Sequence, residues 1–257
     1  MSVDPHGFID VVENHPFQDE FSLLLQDVRT RLCPSTVPLV HSVYVYGSVA
    51  TGKAVAGRSD LDVSLILHDL SSKHDSKLIE DTRQALEAAH SIVIKVDFDI
   101  GLLQDVLSAD SAVAWRYWLR HHCRCIAGED LAEGVPLFRP SRMLALAVNG
   151  DFEQVLGKYH SMLSASPPAS ACRRLVREAS RKLIRSTNVL RTDSDRDWPD
   201  TLEEHVTSFQ RHFPTHGDEL RYFLRQVQEP DATPEYFAER LKTFVDWMSD
   251  VVGNCAQ

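Results

Sequence analysis

The chain has 257 residues, 43% of them hydrophobic and 25% charged, and 27 Lys and Arg against 37 Asp and Glu leave a net charge of −10. This is an ordinary globular composition, enough for one large or two small domains. The acidic balance argues against a nucleic-acid partner, because phosphate backbones are bound by clustered Lys and Arg.

The first residues, MSVDPHGFIDVVENHPF, have neither the basic start nor the apolar run of a signal peptide. No segment approaches the roughly 18 apolar residues of a membrane span, so a cytoplasmic protein without a membrane partner is expected. Cys33, Cys123, Cys125, Cys172 and Cys255 are odd in number and unpaired in spacing, as expected of reduced thiols. RHHCRC, with His121, His122, Cys123 and Cys125, has no second cluster at zinc spacing and reads as a helix end running into a strand.

In chain order, Phe17, Phe21, Leu24, Leu25, Val28 and Leu32 at helical spacing predict an amphipathic helix over 17–32. VHSVYVY (40–46) and DLDVSLIL (60–67) read as strands, from β-rich composition and alternation. A helix is expected over 74–89, and SIVIKVDFDI (91–100) predicts a third strand. Its Val96, Phe98 and Ile100 share one face, and Lys95, Asp97 and Asp99 the other. A helix near 109–121 and a short strand with a turn in CRCIAGEDL close this half before Pro136 and Pro140.

From Ser141 onward the pattern is helical over 141–164, 170–190, 200–212, 217–228 and 234–252, with Thr233 and Pro234 as a helix start. Two domains are expected, 1–140 and 141–257.

YGSVATGKAVAGRSDLDV (46–63) carries the chemistry, and it fits two phosphate-binding patterns. Gly47, Gly52 and Lys53 begin a P-loop, but Ala54 stands where the Mg²⁺-holding Ser or Thr belongs. The few residues before Asp60 also leave no room for the helix and crossover that a P-loop requires. The other pattern is G-S followed by D-x-D. Gly47 lets the backbone approach a phosphate and Ser48 offers a hydroxyl. Asp60 and Asp62, two apart on a strand, project from one face and suit hard, oxygen-seeking Mg²⁺. Asp97 or Asp99 completes a three-carboxylate cluster, with Asp99 either crowding the site or pairing with Lys95.

By VYVYGS, SDLDV and KVDFDI, in that order, the chain resembles the nucleotidyltransferase superfamily with the DNA polymerase β-like fold. Its size and helical second half look most like the aminoglycoside adenylyltransferases of the streptomycin and spectinomycin type. The fold this implies is α+β: an N-terminal polymerase β-like mixed sheet with helices, followed by an all-α helical bundle.

The resemblance implies an Mg²⁺-dependent enzyme, with ATP as substrate, that transfers AMP to a hydroxyl of a small-molecule acceptor such as a polycationic aminoglycoside. Ser48 then matches the triphosphate-binding serine, with Gly47 and Ser59 beside it, Asp60 and Asp62 match the metal ligands, and Asp97 matches the catalytic base and third metal-site acid. The drug-modifying members commonly carry Glu at the base position where this chain has Asp97, which leaves the acceptor open. Arg177, Arg181 and Arg185 form a stripe with Lys182 beside it, which is either a solvated face or counter-charge for the triphosphate. Two alternatives stay open: adenylylation of a protein, as by toxin-modifying antitoxins, and a catalytically silent nucleotide-binding regulator.

Overall fold

The computed structural model describes residues 3–70, 72–109 and 111–254, and the chain divides into two compact units, Asp10–Phe138 and Met1–Ile9 with Arg139–Gln257. No helix among the described residues is long and apolar enough to cross a membrane. Cys33, Cys123, Cys125 and Cys172 are free thiols, and Cys255 lies outside the described residues.

In the first unit, α1 (Ser22–Arg31) precedes β1 (Val40–Tyr46), the one-turn helix α2 (Gly47–Ala50), β2 (Leu61–Leu67) and α3 (Lys73–Ala89). β3 (Val96–Leu102), α4 (Leu103–Leu107), α5 (Ala112–His122) and β4 (Arg124–Gly128) complete it. The four strands lie in the order β3-β2-β1-β4, with β1 antiparallel to β2 and β4, and β2 parallel to β3 through the α3 crossover. Ser72 starts α3 by accepting from the Asp75 N–H at 3.0 Å.

Strand alternation divides the core between the two faces of the sheet. Val43, Val45, Leu61, Val63, Leu65 and Val96 pack with Leu24, Leu25 and Val28 of α1 and Ile79 and Leu86 of α3. The opposite face carries Tyr44 and Ile66 against Leu119 of α5, with Trp115 and Trp118 beside them. Gly101 makes room there, since a Cβ would come within 2.5 Å of the Trp115 ring. Buried His121 ties the ends of the unit together: its Nδ1 lies 3.0 Å from the Asp10 carbonyl, and its Nε2 accepts from the Phe138 N–H at 3.1 Å. With both ring nitrogens engaged in this way, it is a structural histidine.

Four expectations need correction. The helix expected over 17–32 is Ser22–Arg31, preceded by a 3-10 turn at Asp19–Phe21. The third strand begins at Val96 rather than 91, because the preceding residues bond sideways to the loop after α2, with Gly57 N–H to Ile92 O at 2.7 Å and Ile94 N–H to Ser59 O at 3.1 Å. The helix near 109–121 is Ala112–His122, preceded by the separate α4, and Asp110 lies outside the described residues. The span 141–164 is two helices, α6 (Arg142–Asn149) and α7 (Phe152–Ser164), divided at Gly150–Asp151.

The second unit continues with α8 (Ala169–Ser186), α9 (Leu202–His212), α10 (Gly217–Gln228) and α11 (Pro234–Asn254). α8 buries Cys172, Leu175, Val176, Ala179, Leu183 and Ile184 at helical spacing against Phe152 and Leu156 of α7, Phe223 of α10 and Phe237 and Leu241 of α11.

Candidate active site

The strand directions bring the candidate acids to one corner. β1 ends where β2 and β3 begin, because β1 runs against β2 while β3 runs with it. Tyr46 therefore stands opposite Asp62, and Asp62 opposite Asp97, in one cross-strand row on the α5 face. Asp60 precedes β2 by one residue, and Asp99 sits two pairs further along, opposite Ser64.

The corner concentrates like charge. Asp60 Oδ1 is buried without a hydrogen-bond partner among the described residues. The Asp62 carboxyl is pushed up to about 6, by burial first and then by Asp60 and Asp97, with Lys95 opposing. Burial, followed by Asp62 and Asp99, raises the Tyr46 phenol, whose ring stands edge-on to Trp118 with centroids 4.9 Å apart. Desolvation raises Asp99 although the residue keeps an exposed side. Lys95 Nζ pairs with Asp97 Oδ1 at 2.6 Å, so of the two readings left open for Asp99, pairing with Lys95 is not the one found.

Among the described residues no three His, Cys, Asp or Glu side chains already converge as a metal shell. The groups nevertheless fit a hard divalent cation such as Mg²⁺: an orphaned carboxylate oxygen on Asp60 lies beside Asp62, crowded by negative charge, and a cation would relieve both.

Gly47 closes the corner. Its φ is +70°, and a Cβ there would collide with Asp62 Oδ2, so backbone strain and contact both demand glycine. It opens α2, whose first-turn amides have no helical acceptor. Half-buried Ser48 has a hydroxyl that bonds to no described residue. Ser59 Oγ accepts from the Val55 N–H at 2.9 Å and so shapes the loop. The P-loop is excluded as expected, since a single helical turn follows Gly47 and the next strand is antiparallel.

The remaining predicted residues belong to the helical unit. Arg181 is exposed and bonds to no described residue, while Lys182 Nζ pairs with Asp151 Oδ1 at 2.7 Å. Sequence reasoning missed Gln18 and Arg124, whose side chains grip the backbone after Gly47 from 36 and 74 residues away. Only the polarity of Gln18 within an apolar helical pattern could have pointed to either.

A mixed four-stranded sheet with Gly-Ser after its first strand and D-x-D at the start of its second, followed by a helical region, is a fold this chain shares with a solved adenyltransferase. The crystal structure of spectinomycin adenyltransferase AAD(9) from Enterococcus faecialis with ATP and spectinomycin matches it with a TM-score of 0.50. The two chains are 13% identical, and the match covers 86% of this chain and 98% of that one. No family model and no curated protein matches the sequence.

Proposed function

We propose that the protein is an Mg²⁺-dependent nucleotidyltransferase that moves AMP from ATP to a hydroxyl of an aminoglycoside-like small molecule. The observation that carries this reading is the acid corner, where Asp62 stands between Gly47 and Asp97, beside an Asp60 whose buried Oδ1 has no hydrogen-bond partner among the described residues. Asp60 and Asp62 would hold Mg²⁺, with Asp97 as a third acid, and the ion when bound neutralises charge on the phosphates.

The other roles belong to this chain's own groups. The Ser48 hydroxyl and the amides of α2 bind phosphate oxygens, and Gly47 allows their close approach. Asp97 accepts the acceptor's hydroxyl proton as the new O–P bond forms at the α-phosphorus and the bond to the departing pyrophosphate breaks. The acid cluster and the net charge of −10 favour a polycationic acceptor, and AAD(9), crystallised with ATP and spectinomycin, gives the precedent in this fold. A silent regulator is disfavoured because all three acid positions retain an acid.

Incubation with Mg²⁺, each labelled nucleoside triphosphate and a panel of aminoglycosides tests the proposal through pyrophosphate release and acceptor mass. AMP-sized mass gain on an aminoglycoside with ATP is expected. Nucleotide gain on a cellular protein, with no small molecule modified, would replace this reading by the protein-modifying one.

A further inference from the structure

The turn that follows Gly47 is held from two sides by side chains that the transfer chemistry itself does not use. Gln18, at the entrance to the first helix, makes a two-bond clamp on Ala54: its Nε2 donates to Ala54 O and its Oε1 accepts from Ala54 N, both at 3.1 Å. Arg124 of β4 donates from Nη1 to Ala50 O, the last carbonyl of α2, at 3.2 Å. The same guanidinium lies over the Phe17 ring, 3.7 Å from its centroid, and Nη2 donates to Asn14 Oδ1 at 3.0 Å and His15 O at 2.6 Å. Segment 14–18 thereby straps the turn onto the sheet.

Between the two anchors run Thr51, Gly52 and Lys53, all exposed. Lys53 N–H donates to Ser48 O at 2.9 Å, and the Thr51 hydroxyl donates to Gly47 O at 3.0 Å. Without the anchors, this exposed stretch would have to be ordered whenever it received a ligand, at a cost in conformational entropy.

We propose that Gln18 and Arg124 are positioning residues that hold the Gly47–Ala54 turn in the form that receives the triphosphate. The inference rests on the reading of this turn as the nucleotide-binding element. It adds that affinity for ATP depends on two residues that touch neither nucleotide nor metal. They act by preorganisation, so they bear on binding and not on the chemical step.

The test compares wild type, Gln18→Ala, Gln18→Glu and Arg124→Lys by Mg-ATP calorimetry, steady-state kinetics and hydrogen exchange at Ala54. Gln18→Glu keeps the side chain's size but sets an oxygen against Ala54 O. Both Gln18 variants are expected to speed exchange at Ala54 and to raise Kd and KM for ATP about 3- to 30-fold, as expected from losing one or two net hydrogen bonds. The kcat at saturating ATP should stay within about twofold. Arg124→Lys, which keeps the charge but loses the fork, should move the same quantities in the same direction.

Faster exchange at Ala54 with unchanged Kd, or a fall in kcat alone, would overturn the positioning role while leaving the site reading intact. If wild type itself binds no Mg-ATP, the inference and the site reading fall together.

Discussion

In the helical unit, Arg191 is 5% exposed, yet its guanidinium donates to Asn188 Oδ1 at 3.1 Å and to the Asp195 and Asp197 carbonyls at 3.0 and 2.7 Å. It also lies over the Trp198 ring, so both terminal nitrogens of a costly buried cation have acceptors, and among the described residues only its Nε lacks one. At the corner of the sheet, Asp60 Oδ1 is buried without a hydrogen-bond partner among the described residues, and Asp62 shares its surroundings with two like charges. One region spends its polar contacts on holding the chain. The other keeps like charges together, which the cation of the proposed function would relieve.

The comparison can be broken most sharply at the third acid. Asp97→Ala should lose about 10²- to 10⁴-fold in transfer rate, the usual contribution of a positioned base, while Asp99→Ala loses far less. Steady-state rates at saturating ATP check this, and a reversed order would move the site two residues along β3. In the helical unit the large effect is on stability. Phe223 is fully buried against Phe237 and Phe244, and Phe223→Ala should cost about 3–5 kcal/mol in denaturant titration.

Asp62→Asn separates the two regions by sign. Asp62 binds its proton more tightly folded than unfolded, so the metal-free protein loses stability as pH rises from the ordinary carboxylate value through about 6. The Asn variant should therefore be the more stable at pH 7 in EDTA, by about 1 kcal/mol, with the gain gone near pH 4. Urea midpoints at the two pH values read this directly, and a loss of stability at pH 7 would contradict it. The smallest effect belongs to Lys182→Ala, which removes a solvent-facing pair with Asp151 and should change stability by less than about 1 kcal/mol.

Much of this contrast was legible in the sequence. VHSVYVY ends as a strand at Tyr46, and alternation in DLDVSLIL turned Asp62 away from the core formed by Leu61, Val63 and Leu65. The glycine at 47 carried a backbone requirement that the collision with Asp62 explains. Other features were closed to sequence reading. Gly150 sits in helical conformation, so composition alone did not reveal the break between α6 and α7. Lys95 could reach Asp97 or Asp99 by alternation, and only coordinates choose Asp97. The grip of Gln18 on Ala54 joins residues 36 apart, which periodicity cannot see.

The central claim is that Asp60 and Asp62 form the catalytic corner, and it is tested most directly by transfer of label from α-labelled ATP to acceptor by wild type, Asp60→Asn and Asp62→Asn in Mg²⁺. Label transfer by wild type alone is the predicted result, with both variants folded and at background. Substantial transfer by either variant would contradict the account.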